Sequence, residues 1–595
     1  MQDHPSPIEQ AFQNYRNGDL AAAEAILGGI SDQPSAQHLL ALVRIRQGRV
    51  LEALDLLASA VAAQPWEAQT QLNHGKVLAA LGRHVEAIAS FKTAIALDRE
   101  NSDAVLALGK SHHALESFDE AIGCYSLYLK ARPNNIPAKL ALGRALVAAG
   151  RPAEALECLL PALGETKERQ LSSEIHHNLS RAYRMRFDYA AALESLKKSV
   201  DLNPAREGAE LERAGLLEAA QFFRDAISAY EHVLECEPAN AWAHRKYNDL
   251  LYRLGRNEEF LASYNRAPRA KDLLLDKAQF LLNTDRWEEA KSCFETALSR
   301  YGDDRQAALG IGLSFLKGNL IAEAIEALDV AAGRYSDSAD IYCNLAIAWA
   351  QGRDGHKAIQ AVRRGLEIDP LSQTSLAVLG TCLRLTGNAE DEKLNGYDEF
   401  IRVFDLEPPP DFPDMAAFNA ELIAELAKLH PKTGAYLRQS LRGGTQTIDN
   451  LLDAGLPLVK MLRMQIQKAV GQYIAGLRED RGHPLLSRRR RGFRFLGSWS
   501  SRLCEKGFHI NHLHPGGWIS SCYYAEVPQI AADRAQKQGW IKFGQPSFSC
   551  GLDARYSIQP VPGRLILFPS YMWHGTTPFY QDQSRTTVAF DVAPV

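Results

Sequence analysis

The feature that most constrains this chain is a 34-residue period running from its start to about residue 400. Small residues Ala53, Ala87, Ala121 and Ala155 stand 34 apart, and Ala41, Gly75, Gly109 and Gly143 keep the same spacing in a preceding helix. A large residue follows four positions after each member of the first series, at Leu57, Phe91, Tyr125 and Leu159. Three residues are inserted between about 164 and 170, after which the period resumes at Ala192 and Ala226. It blurs near Phe260 and returns at Ala290, Ala324 and Ala358, with Gly312, Ala346 and Gly380 in the partner register. Two antiparallel helices approach closely only where the crossing residues are Gly or Ala. Pro at unit ends, as at Pro65, Pro133, Pro204, Pro238 and Pro370, cannot continue the second helix. The pattern predicts roughly ten or eleven helical hairpins over residues 1–400.

This spacing resembles the tetratricopeptide repeat. The resemblance implies an α-solenoid whose extended concave surface holds a protein or peptide partner. A spacer or oligomerisation surface is the other reading, since fold alone does not establish function. His112-His113 and His176-His177 fall on repeat helices, where neighbours point about 100° apart, so they are read as packed or solvated residues and not as ligands.

The run Asp405-Leu406-Glu407-Pro408-Pro409-Pro410-Asp411-Phe412-Pro413 breaks the helical pattern and reads as a stiff linker, placed at 401–414. Beyond it, in a second domain at 415–595, Phe418, Leu422, Leu426 and Leu429 recur at helical spacing, as do Leu458, Met461, Leu462 and Ile466. Two such helices are expected to brace the outer face of a barrel, with a polar loop over Ser440–Thr447 between them. Short strands follow from Phe493, over 499–503, 523–527, 564–568 and 586–592. Separated by Gly and Pro turns, they suit a double-stranded β-helix, a jelly roll. The basic run Arg488-Arg489-Arg490-Arg491 is read as a solvated loop, because no aromatic platform is interleaved with it.

Within that domain, Asn511-His512-Leu513-His514-Pro515-Gly516-Gly517-Trp518 carries two histidines two residues apart. Such residues share one face of a strand, so their imidazoles would lie side by side. His574 stands 62 residues later, after the apolar run Arg564–Phe568, where a small barrel would return a distant strand. Three such ligands with open positions suit a redox iron site.

The set His512, His514, His574 and Arg585 resembles the 2-oxoglutarate and Fe(II)-dependent oxygenases. The paired His, Pro, Gly-Trp, Ser520-Ser521 and Tyr523-Tyr524 narrow the resemblance to a branch in which His-x-His-Pro replaces His-x-Asp. The resemblance implies a hydroxylase taking Fe(II), 2-oxoglutarate and dioxygen. Arg585, 11 residues after His574, would hold the distal carboxylate of 2-oxoglutarate through a planar guanidinium fork. Thr587 would stand beside it, and Tyr523 or Tyr524 would add a hydroxyl, since only one of the two can face the interior. Asn511 is a candidate for orienting a ligand. Trp518, Phe568 and Trp573 are read as core or pocket wall. No carboxylate stands at the second ligand position, so either His514 is the third ligand or His512 and His574 act alone; Asp553 would need a loop to fold back. An aspartyl/asparaginyl-type peptidyl hydroxylase and a repeat scaffold with a non-catalytic metal-binding barrel are the alternatives.

The formal net charge of −4 gives no global attraction to nucleic acid or anionic membrane. Nine scattered cysteines, never spaced Cys-x-x-Cys, argue against a disulfide framework or zinc knuckle and for a reducing cytoplasm. The first residues lack a basic and then apolar leader, and no stretch of 18 apolar residues occurs.

Overall fold

The computed structural model describes residues 5–430, 439–490 and 492–595. The chain divides into two compact units, Met1–Arg206 and Glu207–Val595. In the first unit, antiparallel helices pair in sequence from Pro7–Asn17 to Tyr189–Leu202. The periodic small residues sit where helices cross: a Cβ on Gly75 would lie 2.5 Å from the Phe91 ring, and one on Gly109 would lie 2.9 Å from Tyr125. Ala53, Ala87, Ala121 and Ala155 are wholly buried. Asn101, Asn135 and Asp188 accept backbone N–H bonds from the first turn of the helices they precede, which fixes where those helices begin. The turn within each hairpin needs a left-handed residue at one fixed place. Gly48, Gly82 and Gly150 supply it, and Glu116 adopts it at φ 57°.

In the second unit hairpins continue from Ala209–Ala219 to Gln373–Leu385. Around Phe260, where the period blurs, the second helix shrinks to Ala262–Arg266. Among the described residues nine strands follow: β1 (Arg402–Asp405), β2 (Leu441–Gln446), β3 (Phe493–His509), β4 (Ile519–Glu526), β5 (Ile541–Phe543), β6 (Tyr556–Ile558), β7 (Arg564–Pro569), β8 (His574–Thr576) and β9 (Arg585–Pro594). They form a six-stranded sheet in the order β1-β7-β4-β9-β3-β2 and a three-stranded sheet β6-β5-β8, with every pairing antiparallel. Helix Met415–Ala427 buries Phe418, Leu422 and Leu426 and packs on β4, where the Tyr523 hydroxyl donates to Asn419 Oδ1 at 2.6 Å. Helix Pro457–Gly476 buries Val459, Leu462, Ile466 and Val470.

The sequence expectations need two corrections here. The supposed linker at 401–414 begins as strand β1, whose Arg402–Asp405 pairs with Leu567–Arg564, and Arg564 Nε holds Asp405 Oδ1 at 2.7 Å. Extended Val403-Phe404 finds the free edge of β7, and the chain leaves the sheet only at the prolines. The expected loop after Ser440 is strand β2, paired with β3 through a bulge between Arg442 and Gly444. In the basic run, Arg488, Arg489 and Arg490 donate to nearby backbone carbonyls; Arg491 lies outside the described residues. Among the described residues no helix is long and apolar enough to cross a membrane.

The last repeat helix, Gln373–Leu385, is joined to the strands. Trp573 Nε1 donates to Ala377 O at 3.2 Å and to Thr381 Oγ1 at 3.1 Å, and Arg384 donates to the carbonyls of Gly544 and Asp553. The Tyr571 hydroxyl donates to Leu394 O, and the Tyr473 hydroxyl to Phe400 O. Cutting the chain in the proline run therefore strips β7 of one of its two neighbours and leaves buried donors without acceptors, each worth about 1–3 kcal/mol. A fragment beginning at residue 411 is expected to melt roughly 5 °C or more below one beginning at residue 371 in thermal circular dichroism. Equal melting points would show that the last repeat does not support the strands.

Candidate metal centre

The backbones of His512 and His574 exchange two hydrogen bonds, of 2.8 and 2.9 Å, forming an isolated antiparallel bridge. Two residues on, His514 N donates to Ser570 O at 3.1 Å. The backbone thus brings the three imidazoles together, with ring centroids 4.2 Å apart for His512 and His574, 5.2 Å for His512 and His514, and 5.0 Å for His514 and His574. One ring nitrogen from each lies within 4.8 Å of the others.

Each Nδ1 is engaged by an acceptor: Ile510 O at 2.8 Å from His512, Met572 O at 3.0 Å from His574, and Asp591 Oδ1 at 2.6 Å from His514. A carbonyl oxygen can only accept, so the proton of His512 and of His574 sits on Nδ1 and the Nε2 lone pair is left over. Asp591 imposes the same tautomer on His514. Its Oδ1 also accepts from Ser520 Oγ at 2.6 Å, and Ser520 meets Ser570 Oγ at 2.8 Å, so the carboxylate is itself fixed. Burial, followed by the nearby His514, pushes the His512 imidazole down to about 3, and burial holds His574 well below the ordinary imidazole range. These bases are uncharged at neutral pH, the form in which imidazole binds a metal.

The three histidines line a cavity of about 330 Å³ together with Arg585, Thr587, Phe568 and Asp591. Arg585 is 1% exposed. It has one long bond, Nη2 to the Tyr524 hydroxyl at 3.4 Å, and its guanidinium lies 5.0 Å from the Tyr524 ring centre. Its Nε has no partner, and no carboxylate among the described residues pairs with it. A buried cation left in this state calls for an anionic ligand. The donor set therefore fits a divalent metal beside a carboxylate-bearing ligand.

Of the other residues singled out from sequence, Thr587 lines the cavity and Oγ1 donates to Ser501 O at 3.4 Å. Tyr523 and Asn511 do not line it. Strand alternation turns Tyr523 outward to Asn419 and leaves Tyr524 as the tyrosine at Arg585. Asn511 donates Nδ2 to Pro546 O at 3.2 Å, and its side-chain oxygen lies against Gly575, where a Cβ would come within 2.5 Å of it. Both are structural residues. Asp553 is engaged through its carbonyl by Arg384 and is not in the histidine cluster.

Sequence reading missed Asp591 and His509. Asp591 had a signal, because Arg585, Thr587, Ala589 and Asp591 alternate along β9 and all four line the cavity. His509, at the end of β3, also lines it and bonds through Nδ1 to Ser440 Oγ, which in turn lies 3.3 Å from His512 Nε2.

Residues 497–591 match the family model described as "Putative 2OG-Fe(II) oxygenase". Residues 72–136, 140–207, 211–272 and 275–339 match that of the tetratricopeptide repeat. No curated protein matches the chain. Among solved structures, Naa15/Naa10 bound to HypK-THB is 16% identical over 64% of this chain and 66% of that one, with a TM-score of 0.29. Yeast Tom70 is 13% identical over 64% and 95%, with a TM-score of 0.32. YrrB, a TPR protein with an unusual peptide-binding site, is 21% identical over 29% and 88%, with a TM-score of 0.27. The chain thus joins a tetratricopeptide repeat region to a domain of the "Putative 2OG-Fe(II) oxygenase" family.

Proposed function

We propose that the strands form a double-stranded β-helix housing a 2-oxoglutarate- and Fe(II)-dependent hydroxylase, whose protein or peptide substrate is recruited by the repeats. The observation that carries this reading is the convergence of three imidazoles, each with Nδ1 occupied, in one cavity with a buried and unpaired Arg585. The β-helix reading is supported by two antiparallel sheets that both line the cavity, through Cys522, Phe568 and Arg585 of one and Ile541 and His574 of the other.

His512, His514 and His574 would hold the ion through Nε2. When bound, Fe(II) with 2-oxoglutarate and dioxygen supplies the oxidation that hydroxylates a C–H bond, the cosubstrate leaving as succinate and CO2. Arg585 pairs with the distal carboxylate, with Thr587 lining the same cavity and the Tyr524 hydroxyl bonded to the guanidinium. Asp591 keeps the proton on Nδ1 of His514 and lends that ligand negative character, which a carboxylate ligand would otherwise supply. Phe568, edge-on to His574 at 4.7 Å, and Trp499, 5.5 Å from His514, keep water from the ligands. At about 330 Å³ the cavity suits a small dicarboxylate and one side chain, so a macromolecular substrate would need binding contacts elsewhere.

Purified full-length protein given Fe(II), 2-oxoglutarate and oxygen is expected to release succinate; none under any condition would leave a binding scaffold. Arg585→Ala should raise the KM for 2-oxoglutarate roughly hundredfold or more, and an unchanged KM would remove Arg585 from the cosubstrate site.

Metal affinity tests the ligand set independently of turnover. In Co(II) titrations followed by visible absorption, Asp591→Asn should weaken binding about 10–100-fold, and His514→Ala should weaken it at least as much. If His514→Ala binds cobalt as the native chain does, the site has two imidazoles.

A further inference from the structure

In each regular hairpin the residue directly after the small crossing residue takes one fixed direction, about 100° around the first helix from the packed face. In four consecutive hairpins of the first unit that residue is a cation: Lys76 after Gly75, Lys110 after Gly109, Arg144 after Gly143 and Arg181 after Ser180. They lie on helices Ala68–Ala80, Ser102–Ala114, Ile136–Ala148 and Arg169–Met185, and all four are exposed. Their spacing of 34, 34 and 37 residues absorbs the three-residue insertion, so the phase is kept where the length is not. In the second unit the same phase carries Gly215, Gln279, Leu313 and Ile347. The stripe is therefore confined to one stretch of a chain whose net charge is −4.

Lys76 and Lys110 line one cavity, walled by Phe91 and Leu106. Its acid, Asp103, faces Arg132 at 3.6 Å, and Arg144 is paired with Glu174 of the next first helix. Lys76, Lys110 and Arg181 have no carboxylate partner among the described residues. Successive first helices touch. Packed helices lie about 8–10 Å apart, which is about three residues of extended chain.

We propose that this stripe binds an extended acidic segment of a protein partner, with a carboxylate at about every third residue, one to each repeat. A protein segment is favoured over nucleic acid because the cations are spaced singly and no exposed aromatic side chain lies on these four helices to stack a base. The proposal rests on the recruitment reading above for what the bound segment is, while binding itself is measured apart from turnover.

The test is fluorescence anisotropy of the full chain with a fluorescein-labelled (Glu-Gly-Ser)4 peptide, a (Lys-Gly-Ser)4 control and a labelled oligothymidylate. The acidic peptide should bind, more weakly as salt rises, and the lysine peptide should not. The triple variant Lys76→Ala, Lys110→Ala, Arg181→Ala should bind it about tenfold more weakly at low salt, since each exposed pair is worth about two- to fivefold. Circular dichroism checks the helices; if alanine disturbs them, Lys76→Gln with Lys110→Gln carries the same comparison. No binding of the acidic peptide, equal binding by the variants, or tighter binding of oligothymidylate would each overturn the proposal. Succinate release by the same preparations judges the oxygenase reading separately, because the stripe and the histidine cavity have no residue in common.

Discussion

Two backbone hydrogen bonds between His512 and His574 set the geometry on which the candidate site rests. Direct antiparallel pairing fixes the distance between two main chains far more tightly than side-chain rotamers could. Two imidazoles 62 residues apart in sequence are thereby held with ring centres 4.2 Å apart, and the bond from His514 N to Ser570 O adds the third. Burial disfavours a charge on the His512 and His574 rings, which keeps both in the neutral form. What remains is a set of three imidazole nitrogens within 4.8 Å of one another, an arrangement that a cation relieves.

The charges around the cluster are arranged along one strand. Arg585 and Asp591 share a face of β9 six residues apart, up to about 20 Å, so they do not neutralise each other. The Asp591 end backs His514, where positive charge would be received. The Arg585 end is an unpaired guanidinium, where negative charge would be received. A single strand thus gives the cavity opposite polarity at its two ends, and a ligand with a metal-binding head and a distal carboxylate fits that order. Removing the carboxylate from direct contact with the ion and placing it behind an imidazole keeps the charge compensation while leaving His514 as the contacting group.

Much of this was legible in the sequence wherever a residue type is forced by a contact. Gly75 and Gly109 announced helix crossings because a Cβ there would strike Phe91 and Tyr125. The three histidines announced themselves because few structures need such a set. Asp591 stayed hidden for the opposite reason: an aspartate near the end of an apolar strand has many uses, and only its alternation with Arg585 and Thr587 ties it to the cavity. Choosing between Tyr523 and Tyr524 needed the register, in which Tyr524 pairs with Thr587 and Tyr523 with Val588. Strand β1 was hidden by the prolines that follow it, because the free edge of β7 that recruits it is a tertiary fact and leaves no local pattern.

The same limit applies to the join between repeats and strands. Ala377, Thr381 and Arg384 lie along one face of the last repeat helix at helical spacing, and on an ordinary repeat that face would be free to meet a partner. Here it is filled from within the chain, by the Trp573 indole and by the carbonyls of Gly544 and Asp553. Trp573 is covalently next to His574, so the last repeat helix bears on the backbone that carries one of the three imidazoles. The final hairpin therefore serves as a wall of the strand domain and cannot also serve as an open docking surface. A partner of the repeats would have to be held by earlier hairpins.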